Sequence, residues 1–375
     1  MNVRPRVAFS LDPVIVGLTI ALILVGLMIL TSATGPIAFQ RTGDSLFFVK
    51  RQLLTGVLPG LLGFFFLAFI DFRRWKKFAF LALITSIILL VLVYIPGIGE
   101  HSHGANGWIH VGSFNFQPSE LVKLTFFLYL AGWLEKRQGT EAHQAKTGLL
   151  PFLIALGIIM LLLVLQPDTG SMAVIVGTSL LLYFISGAPI IWFGGLCALG
   201  AGVLVLLIKF SPYRAARFMT FLHPELDPKG IGYHINQAIL AIGSGGLFGL
   251  GYGNSRQKFL YLPEVQSDSI VAVMAEEFGF IVMLMFIVVF GILVWRCFKI
   301  ARASQDRFGM YLAASVGIWI ALQTFLNVGS MTGLLPITGV TLPFISQGGS
   351  SLTVLLWAMG LVAGIPRAQG SRMPR

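Results

Sequence analysis

Apolar residues run through this chain in long blocks divided by short polar punctuation. A helix of about 20 apolar residues crosses the hydrocarbon core of a bilayer. On that template the pattern predicts ten spans, near 13–33, 52–70, 78–95, 119–134, 149–166, 170–187, 189–209, 269–295, 308–330 and 350–366. Gly187 and Pro189 part the sixth span from the seventh. Both residue types break helices, which predicts a tight turn there rather than one long kinked helix. The largest interruption runs from Lys209 to Glu277. A structureless stretch of that length is usually functional or disordered, and the Phe, Tyr, Ile and Leu scattered through it argue against disorder. The expected architecture is an all-α, polytopic membrane protein. It is one domain, with a long extracytoplasmic loop, about 210–268, between spans seven and eight.

Composition narrows the class further. The 375 residues are 56% hydrophobic and 11% charged, with a mean hydropathy of +0.85. That excludes an ordinary soluble domain. The first apolar block, Val14 to Leu30, is longer than a signal-peptide core and lacks a small-residue cleavage pattern, so it is expected to be a retained helix. Cys197 and Cys297 are the two cysteines, and they provide neither a disulfide framework nor a cysteine-based metal site.

The net charge of +11 invites a nucleic-acid reading. Its distribution favours a membrane instead. With ten spans, 16 Lys and Arg fall on the side of the termini and nine on the other. Arg73, Arg74, Lys76 and Lys77 form one group on the first side, and Arg296, Lys299, Arg302 and Arg307 another. Excess positive charge marks the cytoplasmic face. Both termini are therefore expected in the cytoplasm, with the long loop outside and no nucleic acid as partner.

Candidate chemistry collects on the outward face. Asp268 stands where the long loop re-enters an apolar run, and a carboxylate at that depth is costly enough to suggest a function. Its bland role would be a helix N-cap. Glu120 and Lys123 open the fourth span three residues apart, so they share a helix face and can pair. They read either as a structural ion pair or as a pair lining a cavity below Asp268. Asp168, in QPDTG, reads as a turn or cap residue. The glycines 243, 245, 246, 249, 251 and 253 lack a Walker pattern. They serve close packing, or turns whose amides meet a pyrophosphate beside Arg256 and Lys258. His101 and His103 have metal-like spacing without an accompanying carboxylate or cysteine, so a solvated pair is expected. Glu276 and Glu277 lie two helical turns beyond Asp268, too far for a carboxylate dyad, and are expected to pair with a cation of another span. The Pro, Gly and Ser of 339–351 suggest non-helical backbone that is buried in protein or lines a cavity.

Together, QPSELVK (117–123), QPDTG (166–170), YHINQAILAIGSGGLFGLGYGNSRQKFLYLPE (233–264), SDSIVAVMAEEFG (267–279) and LPITGVTLPFISQGGSSL (335–352) resemble the SEDS family, the shape, elongation, division and sporulation proteins. The resemblance runs from about Asp12 to Arg367. Residues 253–258, and Thr341 where elongation-type members usually carry proline, resemble the division-type members more. Ser267 and Ser269 stand where the family usually has threonine and phenylalanine, and Gln347 where it usually has tyrosine.

The resemblance implies a ten-span bundle in the cytoplasmic membrane that polymerises lipid II into peptidoglycan glycan strands on the outer face. It implies a class B penicillin-binding protein and other divisome membrane proteins as partners. The family's essential aspartate falls on Asp268, and its PSE-x-x-K motif on Glu120 and Lys123. Such a reaction needs a base for the attacking hydroxyl and cations for the departing pyrophosphate. Asp268 is the candidate base. Glu120, Lys123, Arg214, Arg217, Gln257, Lys258 and Ser350 are the candidate substrate contacts, with Arg256 beside them. A divalent cation such as magnesium stays open as cofactor, and no other is expected. A lipid II flippase, an elongation-type polymerase and a non-catalytic scaffold are the rival readings.

Overall fold

The computed structural model describes residues 11–95, 99–102, 105–111, 114–137, 144–227 and 230–370. His103 and the cations Arg4, Arg6, Lys229, Arg372 and Arg375 lie outside the described residues.

The chain opens with α1 (Pro13–Thr42). Next, α2 (Phe47–Gln52) and α3 (Leu58–Phe69) join through a π-helical stretch, Leu53–Val57, into one rod. The short α4 (Arg73–Lys76) leads to α5 (Ala79–Leu92). Then come α6 (Pro118–Lys136), α7 (Leu150–Leu165), α8 (Thr169–Ile185) and α9 (Ile190–Phe210). After these follow α10 (Pro212–Leu222), α11 (Ile231–Gly245), α12 (Ile270–Ala303), α13 (Arg307–Met331) and α14 (Gly349–Gly370).

Among the described residues, seven helices are long and apolar enough to cross a membrane: α1, Phe47–Phe69, Ala145–Leu165, α9, α12, α13 and Gly349–Gln369. The other three predicted spans fall on α5 and α8, which are shorter apolar helices, and on α6, which carries Glu120, Lys123, Glu135 and Lys136. The molecule is an all-α polytopic membrane protein. Its core lies where α6, α13 and α14 meet; Phe126, Phe127, Trp319 and Leu356 are fully or almost fully buried there. At the opposite extreme, α9 buries only Leu196 and turns Leu204, Val205 and Phe210 outward, which suits lipid and not water. The turn between α8 and α9 forms as expected, with Gly187 at φ 97.

Four expectations change. The first helix does not stop near residue 33 but runs to Thr42, because Ile37 and Ala38 pack on Phe48; Gly43, at φ 73, then ends it. The loop 96–118 contains a three-stranded antiparallel sheet, β1 (Gly99–Ser102), β2 (Ala105–Val111) and β3 (Phe114–Phe116), in the order β1-β2-β3. The segment from Lys209 to Glu277 is not structureless: it holds α10, α11 and the first two turns of α12. Finally, the eighth predicted span is broken at Gly279, whose φ of 76 and ψ of 177 leave the helix.

That break exposes backbone groups of the kind a membrane protein must satisfy internally, and the glycine-rich loop supplies the partners. Leu250 N–H donates to Glu276 O at 2.9 Å and Gly251 N–H to Glu277 O at 3.0 Å. Phe280 N–H donates to Gly246 O at 2.9 Å and Ile281 N–H to Leu247 O at 3.2 Å. Two backbones this close leave no room for side chains. A Cβ on Gly249, itself at φ 79, would sit 2.2 Å from Glu277 O, and one on Gly279 would sit 2.3 Å from Gly249 N. We expect Gly249→Ala to cost at least about 1–3 kcal/mol from its backbone conformation alone. A lowered midpoint of thermal unfolding in detergent is the readout, and an unchanged midpoint would contradict the splint.

Candidate active site

The chain returns from α11 through a series of turns that present Asp268 two residues before α12. Asp268 is 6% exposed. Its backbone is held from one side by α13 and the loop before α14. Asn327 Nδ2 donates to Asp268 O at 3.0 Å and to Val340 O at 2.6 Å. Ser346 Oγ donates to Ser267 O, and Gln347 N–H donates to Gln266 O at 2.8 Å. Glu264, at φ 50, accepts backbone N–H bonds from Ser267 and Ser269 at the centre of the turn. The side chain of Asp268 is engaged only lightly, by Ser267 Oγ 3.4 Å from Oδ1. Burial pushes the Asp268 carboxyl up to about 6, Glu264 adds to the rise, and Ser267 and Arg217 pull against it. A buried carboxylate with that affinity for protons is suited to general-base work near neutral pH. It is not a helix cap: the N-cap position of α12 is Ser269, and no side chain caps there.

Glu120 and Lys123 do pair. Lys123 Nζ lies 2.8 Å from Glu120 Oε1, and the two side chains are 2% and 8% exposed, so the charges neutralise each other out of water. Lys123 also donates to Gln323 Oε1 at 3.2 Å and lies 5.4 Å from the Trp319 ring centroid. Gln323 Nε2 donates to Thr341 O at 2.9 Å. Gln323 and Asn327 are one turn apart on α13, so one helix face supports both the ion pair and the Asp268 turn. The other oxygen of Glu120 is buried without a partner among the described residues. Ser350 Oγ accepts from Gln117 N–H at 3.1 Å and so fixes the start of α6. Asp168 is the N-cap of α8, accepting from Ser171 N–H at 2.9 Å and from Ser119 Oγ at 2.7 Å. The sequence expected that cap.

Of the cations on α10, Arg217 acts on the Asp268 carboxyl through its charge, and Arg214 lies three residues before it on the same helix. Arg214 Nη2 donates to Val164 O at 2.9 Å, and Arg217 Nη1 donates to Ile337 O at 3.4 Å. Both are half-buried. Lys258 corrects the expectation placed on it. It is 3% exposed, and its Nζ meets Glu277 Oε1 at 2.8 Å, Gly253 O at 2.7 Å and Ser32 Oγ at 3.0 Å. An ammonium has three donors, and all three are occupied, so Lys258 has none left for a substrate. Glu277 thus takes its cation from the loop and not from another span; from α1 it receives the Ser32 hydroxyl, 2.7 and 2.8 Å from its two oxygens. Glu276 accepts from Ser255 Oγ at 2.5 Å, Arg256 N–H at 3.0 Å and Gln257 N–H at 3.3 Å. The amides of Leu250, Gly251, Arg256 and Gln257, which a phosphate cradle could have used, are therefore engaged by α12. Gln257 keeps a buried Oε1 without a partner among the described residues, and Arg256 is exposed. No three His, Cys, Asp or Glu side chains among the described residues converge to hold a metal ion.

Sequence reasoning passed over Gln323, Asn327, Ser346 and His234. The signal for the first two was present: two carboxamides four residues apart inside an apolar span, which is costly unless they bond. Ser346 and His234 had no such signal.

A helical bundle that turns apolar faces outward and buries an acid at one end of its core defines a polytopic membrane protein with a recessed reactive site. The chain belongs to the FtsW/RodA/SpoVE family of cell cycle proteins, whose sequence profile matches residues 13–370, as the SEDS resemblance implied. Stage V sporulation protein E of Bacillus subtilis is 41% identical over 361 residues, covering 96% of this chain and 97% of that protein. A probable peptidoglycan glycosyltransferase FtsW of Trichlorobacter lovleyi is 39% identical over 354 residues, covering 94% of this chain and 92% of that one. Among solved structures, a chain of a peptidoglycan synthase complex that coordinates polymerization and crosslinking superposes with a TM-score of 0.76 at 28% identity, covering 95% of this chain and 98% of that one. The rod shape determining protein RodA of Thermus thermophilus superposes with a TM-score of 0.70 at 28% identity, covering 97% and 98%.

Proposed function

We propose that this chain is a peptidoglycan glycosyltransferase that polymerises lipid II on the outer face of the cytoplasmic membrane, with Asp268 as its general base. The observation that carries the reading is the Asp268 carboxylate: buried, raised in proton affinity, and fixed through its backbone so that its oxygens remain available. In the reaction a sugar hydroxyl of one lipid-linked disaccharide attacks the anomeric carbon of another. The hydroxyl proton passes to Asp268, a carbon–oxygen bond forms, and the bond to undecaprenyl pyrophosphate breaks. The pyrophosphate takes the bonding electrons, and Arg217 and Arg214 supply guanidinium forks for its charge. Gln257 and Ser350 complete the proposed substrate contacts. The Glu120–Lys123 pair lies deeper and, through Gln323 and Thr341, braces the floor below the base.

Depth supports this placement. From Arg307 to Asn327, α13 rises about 30 Å at 1.5 Å per residue, which is the thickness of the hydrocarbon core. Asp268, bonded to Asn327, then stands at the outer boundary if the basic end of α13 faces the cytoplasm. With all ten helical segments crossing, both termini are cytoplasmic. The names FtsW and stage V sporulation protein E among the relatives favour a division-type role, with a class B penicillin-binding protein and other divisome membrane proteins as partners. A flippase would need a polar path through the whole bilayer. The described charges instead concentrate at the two boundaries and in the matched Glu120–Lys123 pair.

The test is polymerisation of lipid II by the purified protein, with and without a class B penicillin-binding protein, read on a gel. Absence of glycan strands under both conditions would overturn the reading. For topology, single cysteines replacing Asn254 and Lys76 in a cysteine-free background should label differently with an impermeant thiol reagent. Asn254→Cys should label from outside, and Lys76→Cys only after the membrane is opened. Outside labelling at Lys76 would put Asp268 in the wrong compartment.

A further inference from the structure

We propose that His234 is a positioning residue for Asp268, holding the catalytic turn from α11 through the hydroxyl of Ser269; this rests on the glycosyltransferase reading above. His234 is 9% exposed, and its Nε2 lies 2.5 Å from Ser269 Oγ. The same Oγ lies 2.7 Å from Pro263 O. A carbonyl only accepts and a serine hydroxyl has one proton, so the Ser269 proton points at Pro263. The ring must then be the donor in the first bond, which fixes the hydrogen on Nε2. Burial drives the His234 pKa down to about 4, with Glu264 opposing and Arg217 reinforcing the drop. The imidazole is therefore neutral at neutral pH, in the Nε2–H tautomer.

The bond from Ser269 to Pro263 closes the two ends of the 263–269 turn on each other, and the bond from His234 ties that closure to α11. Asp268 lies inside that ring, next to Ser269. Asn327, Ser346 and Gln347 hold the same turn from α13 and the loop before α14. His234 holds it from a third element, α11, the helix that follows the arginine-bearing α10. His234 does not touch the carboxylate itself. Its contribution is to keep the turn in register, and displacing a reacting group by about 1 Å can cost on the order of 10²-fold in rate.

The test compares His234→Leu, which removes the donor at similar bulk, with His234→Gln, which returns an N–H donor. Steady-state rates against lipid II concentration should show kcat lowered roughly 10- to 100-fold in the Leu variant with KM little changed, and largely restored in the Gln variant. Wild-type kcat in the Leu variant would overturn the proposal, as would equal loss in both variants, which would mark the site as one of bulk or folding. A second readout is independent of catalysis. Nitrogen-15 NMR of histidine-labelled protein in detergent, assigned by the resonance lost in His234→Gln, should show a neutral ring protonated on Nε2 at pH 7. A ring protonated on Nδ1 would sink the proposal even if the enzyme polymerises. A wild-type protein that makes no polymer would sink the glycosyltransferase reading, and the NMR result would still decide the hydrogen bond.

Discussion

Asp268→Asn is expected to fold, insert and bind its partner, and to make no detectable glycan polymer from lipid II. The change keeps the shape of the side chain and removes its basicity. Losing a positioned general base costs about 10²–10⁴-fold, which reads as inactivity on a gel. The backbone bonds that hold the turn come from Asn327, Ser346 and Gln347 and are all accepted by backbone carbonyls of the turn, so they survive the substitution. The wild type should show the matching pH dependence. Only the carboxylate form of Asp268 accepts a proton, and its pKa is raised to about 6 by burial and by Glu264. The rate should therefore fall about tenfold per pH unit below that value and level off above it. Glu264→Gln removes a charge that raises the pKa, so it should move the acid limb to lower pH. Full polymerase activity in Asp268→Asn would remove the base from the mechanism and bring the flippase and scaffold readings forward.

Glu120→Gln and Lys123→Met should each destabilise the protein severely, and the double variant much less than their sum. Each single change strands one charge at a site where the partner side chains are 2% and 8% exposed. Breaking a buried pair typically costs about 3–5 kcal/mol, whereas removing both charges is often close to neutral. Lys123→Met also leaves Gln323 Oε1 with Trp319 Nε1, 2.6 Å away, so the carboxamide keeps one donor and the brace to Thr341 survives. Thermal unfolding of the four proteins in detergent gives the cycle. Strict additivity would mean that the two charges do not stabilise each other in the folded bundle.

Much of the architecture was legible along the chain. Apolar blocks of bilayer length and the Gly187 and Pro189 break are local properties, and a membrane converts them directly into helices. The three-residue spacing of Glu120 and Lys123 likewise predicted their pairing, because helix geometry alone brings such residues together. The cap role of Asp168 followed from its place before a span.

What the sequence left open depended on where separate segments meet. Lys258 looked like a pyrophosphate contact because it follows glycines and Arg256, yet Glu277 and Ser32 enclose it from α12 and α1. The glycines read as close packing or as a cradle, and packing is what they provide: they splint a helix broken at Gly279, a break that apolar patterning does not reveal because Phe278 and Phe280 flank the glycine directly. The chain by itself thus determined the membrane class and the apolar helices, since both depend on composition and period within one segment. Only the tertiary structure decided which cations remain available, which amides are already bonded, and how far the Asp268 pKa rises. Those are set by burial and by partners that lie tens to hundreds of residues away along the chain.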